Sequence, residues 1–509
     1  MRERITYVQK LGDSLEPSAI TIDGGKISGP EVHAVREDRL TIALDELPSE
    51  LRALLKDAQE LHIRWVSTTP YEAISPLLAR LPPGFHVFFT PRREEAVFTS
   101  LCATLAKIFG DLSCSTPAES FTSLPQDRFP HAPALQYFQQ LDSLSHFIHY
   151  AQDQLCRATD AACLARLGSL SKASSLDIDY DTTSRVLRAT ATWPYQRQPV
   201  EATSRPQLRT EVGILSTDKP QTLEPHEIGI SGLLTVLGQD ANPSPTMFTF
   251  VSRHRDAESS FSARFLRPTG FHPTLQLRLT SPDPPPSASA AFSPDHCSLH
   301  AYLTLPRPIF ADKYQLADPI FLASKNLSAL RYTTQPVDLE APAYVLPQWG
   351  SAVLLDLSPP RAAEKTETED GRADWTAEIP LHLRYLPPAQ GGYESVHVPY
   401  PAVFWACEPE QEDEEVQPPG PFERSKLGYD GLFAEGTVFW HVEPRSVEGN
   451  QRLVNDVGVP VLDLERAGWV NVGTAVAVAV GFAWVVWKLV GVWRGEAEKK
   501  GTQGEKKRQ

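Results

Sequence analysis

The chain has 509 residues, 41% of them hydrophobic, and its 48 Lys and Arg stand against 63 Asp and Glu for a formal net charge of -15. This length can bury roughly two or three cores without stapling, and the acidic balance excludes an extended phosphate-binding surface, which rests on clustered Lys and Arg. With 45 Pro and only 2 Met, the composition favours strands, edges and turns, because proline lacks the backbone donor that a helix interior needs.

Residues 1–125 alternate strand-like runs (ITYVQKL, RLTIALDEL, LHIRWVS, FHVFFTP) with helical patterns (SELRALLKDAQE, EEAVFTSLCATLAKIF). That alternation predicts a mixed α/β N-terminal region. Residues 126–204 hold Leu141, Leu144, Phe147, Ile148 and Leu155 at helical spacing, so Ala134 to Leu170 is expected to form one long helix or a pair. A period-two strand pattern, SLDIDYDTTSRVLRATATWPYQ, follows. From 205 to 407, short β-rich runs such as EVGIL, TMFTFVSRH, TLQLRLT, AYLTLP, AVLLDL and YESVHVPY are separated by Pro, Gly, Asp and Ser. Strands this frequent, with no helical pattern between them, predict an antiparallel β-sandwich-like domain. Two biased segments, 281–295 and 364–378, are expected as exposed loops, and 408–421 (EPEQEDEEVQPPGP) as an acidic, Pro-rich linker. Residues 422–468 are then a juxtamembrane segment. The expected fold class is mainly β, with the mixed α/β region in front and one C-terminal transmembrane helix behind.

That helix is placed at 469–493. Val470 to Val492 contains one formal charge, Lys488, and is flanked by Trp469 and Trp493. At 1.5 Å per residue it extends about 34 Å, enough for a hydrocarbon core of about 30 Å. From Lys488 onward the basic tail carries seven Lys and Arg against three Glu, net +4. The positive-inside tendency makes residues 494–509 cytosolic and the bulk lumenal or extracellular. The opening MRERITYVQKLGDSL has no apolar signal-peptide core, so a tail-anchored protein with a cytosolic body is the rival topology. Lys506 and Lys507, third and fourth from the end, resemble a dilysine address that returns membrane proteins to the endoplasmic reticulum. A basic tail ending in lysine by chance is the plain alternative. Gly473, Ala477 and Gly481 recur every four residues and offer a face for helix packing, against the alternative of a generic Ala and Val anchor.

Patterns that carry chemistry are weak. His226-Glu227 begins like a zinc-protease helix, but Ile230 stands where the second histidine belongs. Asp177-Ile178-Asp179 matches the DxD of sugar-nucleotide glycosyltransferases, yet a solvated strand face explains the period-two acids as well. His254, His272 and His300 are candidate bases for a membrane-anchored hydrolase, with structural hydrogen bonding as the competing reading. No GxSxG, phosphate-cradling loop or CxxC pair occurs. Catalytic, cofactor and metal residues are therefore not assigned. Asn326-Leu327-Ser328 is a glycosylation sequon, whereas Pro243 disqualifies Asn242. Cys297 and Cys407 bracket the β-rich region and are the expected bridge in an oxidising lumen, and Cys156 and Cys163 lie in the helical part; spacing alone does not fix connectivity.

The ordered set SLHAYLTLPRPIFADKYQL, PTGFHPTLQLRL, DLEAPAYVLPQWGSAVLLDL, PLHLRY and PYPAVFWAC resembles the PIG-X family in its longer fungal, Pbn-type form. The resemblance runs from about Arg205 to the membrane span, and the first 200 residues resemble the extra N-terminal region of the fungal forms. It implies a single-span glycoprotein of the endoplasmic reticulum membrane with a lumenal bulk. It further implies a non-catalytic subunit, without cofactor, that stabilises the polytopic PIG-M-like catalytic subunit of GPI mannosyltransferase I. That enzyme transfers the first mannose from dolichol-phosphate mannose to glucosaminyl-phosphatidylinositol. The alternative function is a general lumenal folding factor for membrane and secretory proteins.

Overall fold

The computed structural model describes residues 1–13, 15–92, 99–124, 134–205, 208–218, 223, 227–285, 292, 296–334, 338–360, 375–408, 420–423, 428–434, 436–447 and 451–505. The chain divides into two compact units, 1–384 with 396–457, and 385–395 with 458–509.

In the first unit, one sheet takes up β1 (Arg2–Gln9), β2 (Thr21–Asp23), β3 (Lys26–Ala43), β4 (Ala58–Val66), β5 (Gly84–Pro91), β6 (Thr122–Ser123), β7 (Leu135–Gln139), β8 (Ser175–Asp181), β9 (Val186–Thr203), β10 (Arg209–Asp218), β11 (Glu227–Val236) and β12 (Ser244–Val251). Their order is β12-β11-β10-β1-β3-β9-β8-β4-β5-β7-β6, with β2 on β3, and every pair is antiparallel except β1 with β10. FHVFFTP becomes β5, buried along its whole length, as a continuous apolar run in a two-sided sheet should be. The two 18-residue strands β3 and β9 pair with register shifts at Ser28/Glu31 and Ala34/Arg36. Pro194 and Pro199 of β9 sit beside these irregularities, where a missing N–H is tolerated.

The second sheet contains β13 (His254–Phe265), β14 (Thr274–Leu279), β15 (Cys297–Pro306), β17 (Leu327–Thr333), β18 (Gly350–Leu357), β19 (Trp375–Pro380), β22 (Ala402–Cys407) and β23 (Val438–Pro444). They lie in the order β17-β18-β15-β22-β23-β13-β14-β19, with β13 and β23 parallel. A short ribbon pairs β16 (Ile309–Phe310) with β20 (His382–Leu383), and another pairs β21 (Tyr393–Pro399) with β24 (Val454–Pro460). The large sheet curls until its edges meet, where Glu378 N donates to Lys325 O at 3.0 Å and Lys325 Nζ reaches Glu378 at 2.6 Å. Closure leaves fewer exposed strand edges.

The two sheets share a core in three layers. One face of the first sheet packs under helices Thr99–Phe109 and Ser145–Leu155, with the Phe85 and Phe109 rings 4.6 Å apart. Its other face meets the second sheet, where Gln136 Nε2 donates to Tyr302 Oη at 3.0 Å and Trp349 Nε1 donates to Gln136 O at 2.9 Å.

Several expectations change. The boundary between sheets falls between Val251 and His254 rather than at 205, because β10 hydrogen-bonds back to β1 and carries β11 and β12 with it. Leu135–Gln139, expected as helix, is strand β7; its alternating residues complete the edge beyond β5. The helical spacing downstream yields two short helices, Ser145–Leu155 and Ala161–Gly168. Trp375 to Glu378, expected in a loop, opens β19, where Trp375, Ala377 and Ile379 are buried in alternation. β23, assigned to a juxtamembrane segment, is an internal strand between β22 and β13.

In the second unit, Leu464–Glu505 is one continuous helix, and an 18-residue window within 464–494 reaches a mean hydropathy of 2.0. It is long and apolar enough to cross a membrane once.

Candidate functional site

The face of the first sheet that meets the second is polar. Register partners share a face, and the pairs His62↔Asp179, Arg64↔Asp177, Arg64↔His86, Arg39↔Thr190 and Arg4↔Arg39 run a polar, largely charged row across six strands. Asp177 is fully buried and lies 3.6 Å from Arg64 Nη1, while His62 binds Asp179 through Nδ1. Glu37, also fully buried, accepts from Arg4 at 3.0 Å. Arg64 further donates to Ala79 O. The solvated-face reading of the DxD pattern is therefore overturned: β8 is an interior strand between β4 and β9, and Asp177 and Asp179 are engaged by Arg64 and His62 of the same face. Such a network holds neighbouring strands of the first sheet in register.

The end of the expected linker closes this face. Pro421 O accepts from Arg4 (3.0 Å) and Arg39 (2.9 Å), and the Arg4 guanidinium sits 5.0 Å from the Phe422 ring. Gly428, at φ 87°, passes where a Cβ would lie 2.6 Å from Phe88. Beside it Tyr429 is buried, stacks on Phe404 at 4.7 Å and donates to Arg80 O. Residues 409–419 of the linker lie outside the described residues.

Each candidate histidine has a structural partner. His254 Nδ1 lies 2.9 Å from His441 Nε2 in a buried pair, which requires one ring to donate and the other to accept. Burial pushes His441 well below the ordinary histidine value, and the neighbouring His254, Arg80 and Arg64 add to it. His272 meets His382 at 3.1 Å on the surface. His300 is the most suggestive: Nε2 is 2.7 Å from Ser298 Oγ and Nδ1 is 2.8 Å from Asp356 Oδ1, the order of nucleophile, base and orienter. Its ring is nevertheless fully buried, with Phe433 edge-on at 4.9 Å, and burial lowers its pKa although Asp356 opposes the shift. With both nitrogens engaged inside the sheet, it ties β15 to β18. His226 lies outside the described residues, which contain no cluster of three or more His, Cys, Asp or Glu able to hold a metal.

Six cysteines form three disulfides, Cys102–Cys114, Cys156–Cys163 and Cys297–Cys407. The last joins direct register partners of β15 and β22, with Cα atoms 4.1 Å apart. Asn326 is exposed at φ 56°, in the left-handed region that Asn tolerates, and its Nδ2 donates to Thr376 O at 2.7 Å. Ser328 is exposed beside it. Gly473, Ala477 and Gly481 lie on the exposed C-terminal helix, and nothing comes within 4 Å of a Cβ built at either glycine. Lys506 and Lys507 lie outside the described residues. Sequence reasoning missed the linker's anchoring role and the buried charged row, and the one signal available for the row was Arg64 inside the apolar run LHIRWVS.

The chain matches a family model described as PIG-X / PBN1 over residues 268–490. It is 59% identical to protein pbn1 of Neurospora crassa over 494 residues, covering 97% of this chain and 95% of that one. The chain belongs to the PIG-X/PBN1 family. Among other PBN1 relatives, the Gibberella zeae protein is 46% identical over 97% of this chain and 96% of its own length. The Yarrowia lipolytica PBN1 is 27% identical over 98% of both chains. The N-terminal sheet is thus part of what the PBN1 relatives share, beyond the segment the family model covers. A solved structure, the zebrafish (Danio rerio) Fcho1 Mu homology domain with bound Eps15 peptide, aligns over 80% of this chain and 81% of its own, at 10% identity and a TM-score of 0.13, too low to indicate a common fold.

Proposed function

We propose that this member of the PIG-X/PBN1 family acts in GPI-anchor biosynthesis as a non-catalytic subunit that stabilises the PIG-M-like mannosyltransferase adding the first mannose. The observation that carries the reading is the end-to-end similarity to PBN1 proteins. The interior supports it, because Arg64 and Asp177 form a buried ion pair at the sheet junction and His254, His272 and His300 are each engaged by a neighbour. The proposed placement is the endoplasmic reticulum membrane, with a lumenal body, one span at 469–493 and a cytosolic tail ending in the retrieval signal Lys506 and Lys507. Three disulfides suit an oxidising lumen. The exposed Asn326 is the proposed glycan site, since one amide hydrogen can stay on Thr376 O while the other is replaced. Gly473, Ala477 and Gly481 form the proposed side of the helix that packs against the enzyme's spans.

Depleting the chain is the test. Loss of the mannosyltransferase with accumulation of unmannosylated glucosaminyl-phosphatidylinositol is expected. Normal lipid intermediates with broad misfolding of secretory proteins would replace the proposal with the general folding-factor reading.

A further inference from the structure

Within the second unit, residues 385–393 are fastened to the start of the membrane helix. Ala389 N donates to Leu462 O (3.1 Å), Leu464 N to Ala389 O (3.2 Å) and Val461 N to Gly392 O (2.9 Å). Gly391 and Gly392, at φ 80° and 74°, supply the consecutive left-handed residues that bring the segment back on itself. The sequence, YLPPAQGGY, has no charged residue in a chain of net charge -15. Its two ends are tyrosines, each 68% exposed, and Leu462 and Leu464 are exposed beside them. A water-facing loop of an acidic protein has no reason to show this composition.

Depth along the helix supplies a reason. Trp469 is 82% exposed and opens the uncharged run, so it marks the edge of the hydrocarbon. Leu464 precedes it by five residues, about 7.5 Å of helix. The headgroup layer on each side of a bilayer is about 5–7.5 Å thick, which places the hydrogen bonds to Leu462 and Leu464 at its outer, water-facing side. Tyrosine suits that layer because its ring favours the acyl boundary while its hydroxyl stays among polar groups.

We propose that residues 385–393 form a collar lying in the phospholipid headgroup layer where the helix enters the membrane, with Tyr385 and Tyr393 as its lipid anchors. The inference rests on the reading that 469–493 spans the bilayer. A single helix can rotate about its own axis, and an anchor beside it removes that freedom. The collar therefore orients the helix face that includes Gly473, Ala477 and Gly481.

The test uses the full-length protein in phosphatidylcholine nanodiscs, with a benzophenone amino acid installed singly at Tyr385, Tyr393 or Val478 and photolysed. Lipid adducts at all three positions are expected, with loss of the adduct at 385 or 393 when the probe is installed at that position in detergent without phospholipid. Adducts at 478 but none at 385 and 393, or crosslinks from those two positions to protein alone, would overturn the collar and leave the span intact. Absence of lipid adducts at 478 would overturn the span and the collar with it.

Discussion

Arg64 is the residue whose chemistry says most about this fold. It sits on a strand with its guanidinium beside the fully buried Asp177, at a seam between two sheets. Removing one member of a buried pair strands the other in low dielectric. Arg64→Met is therefore expected to destabilise the first unit by about 3–5 kcal/mol, read as a lower urea midpoint, and an unchanged midpoint would contradict the network. Buried histidines add a pH dependence. Burial holds His86 down at about 3 and also lowers His300 and His441. Below the ordinary value of about 6.5 the unfolded chain binds protons that the folded chain refuses, so stability falls as pH falls. For His86 alone the loss between about pH 7.5 and pH 5 is about 2 kcal/mol. Urea midpoints measured across that range should decline, and H86Q should flatten the decline by about that amount. The acids of the DxD pattern could not be placed from sequence because period-two spacing fixes which residues share a face and not what covers it. The cover here comes from β15 and from Tyr429, distant in the chain.

At the scale of elements, the strands were legible wherever local alternation and the burial pattern agree, as in AYLTLP, which became β15. That strand is buried on both faces: Leu299, Ala301, Leu303 and Leu305 on one, His300, Tyr302 and Thr304 on the other. The C-terminal helix was legible from length and hydropathy alone. Pairing was not legible, since the return of β10 to β1 (Arg2↔Arg209) and the docking of β23 on β13 (His254↔Phe439) depend on contacts far apart in the chain. Helical spacing misled at Leu135–Gln139 because five residues, LQYFQ, are too few to separate the two periods. The Cys297–Cys407 bridge closes a separation of 110 residues. Removing it with C297S/C407S is expected to lower stability by about 2–5 kcal/mol, visible as a lower thermal midpoint under non-reducing conditions, with no change expected if β15 and β22 hold their register unaided. Gly428→Ala should also destabilise, by about 1–3 kcal/mol, since it combines φ 87° with the close approach to Phe88.

At the scale of the whole molecule, topology and partnership decide the function. Asn326→Gln is expected to remove one endoglycosidase-sensitive step in gel mobility. A parent protein with no such step, whose residues 1–468 are digested by protease in intact microsomes, would place the body in the cytosol. The proposed role, keeping a mannosyltransferase folded, is tested most directly by assaying microsomes before and after depletion of the chain. Transfer of mannose from dolichol-phosphate mannose to glucosaminyl-phosphatidylinositol and the level of the catalytic subunit are expected to fall together, and both to return when the chain is restored. Transfer and enzyme level that stay unchanged after the chain is gone would contradict it.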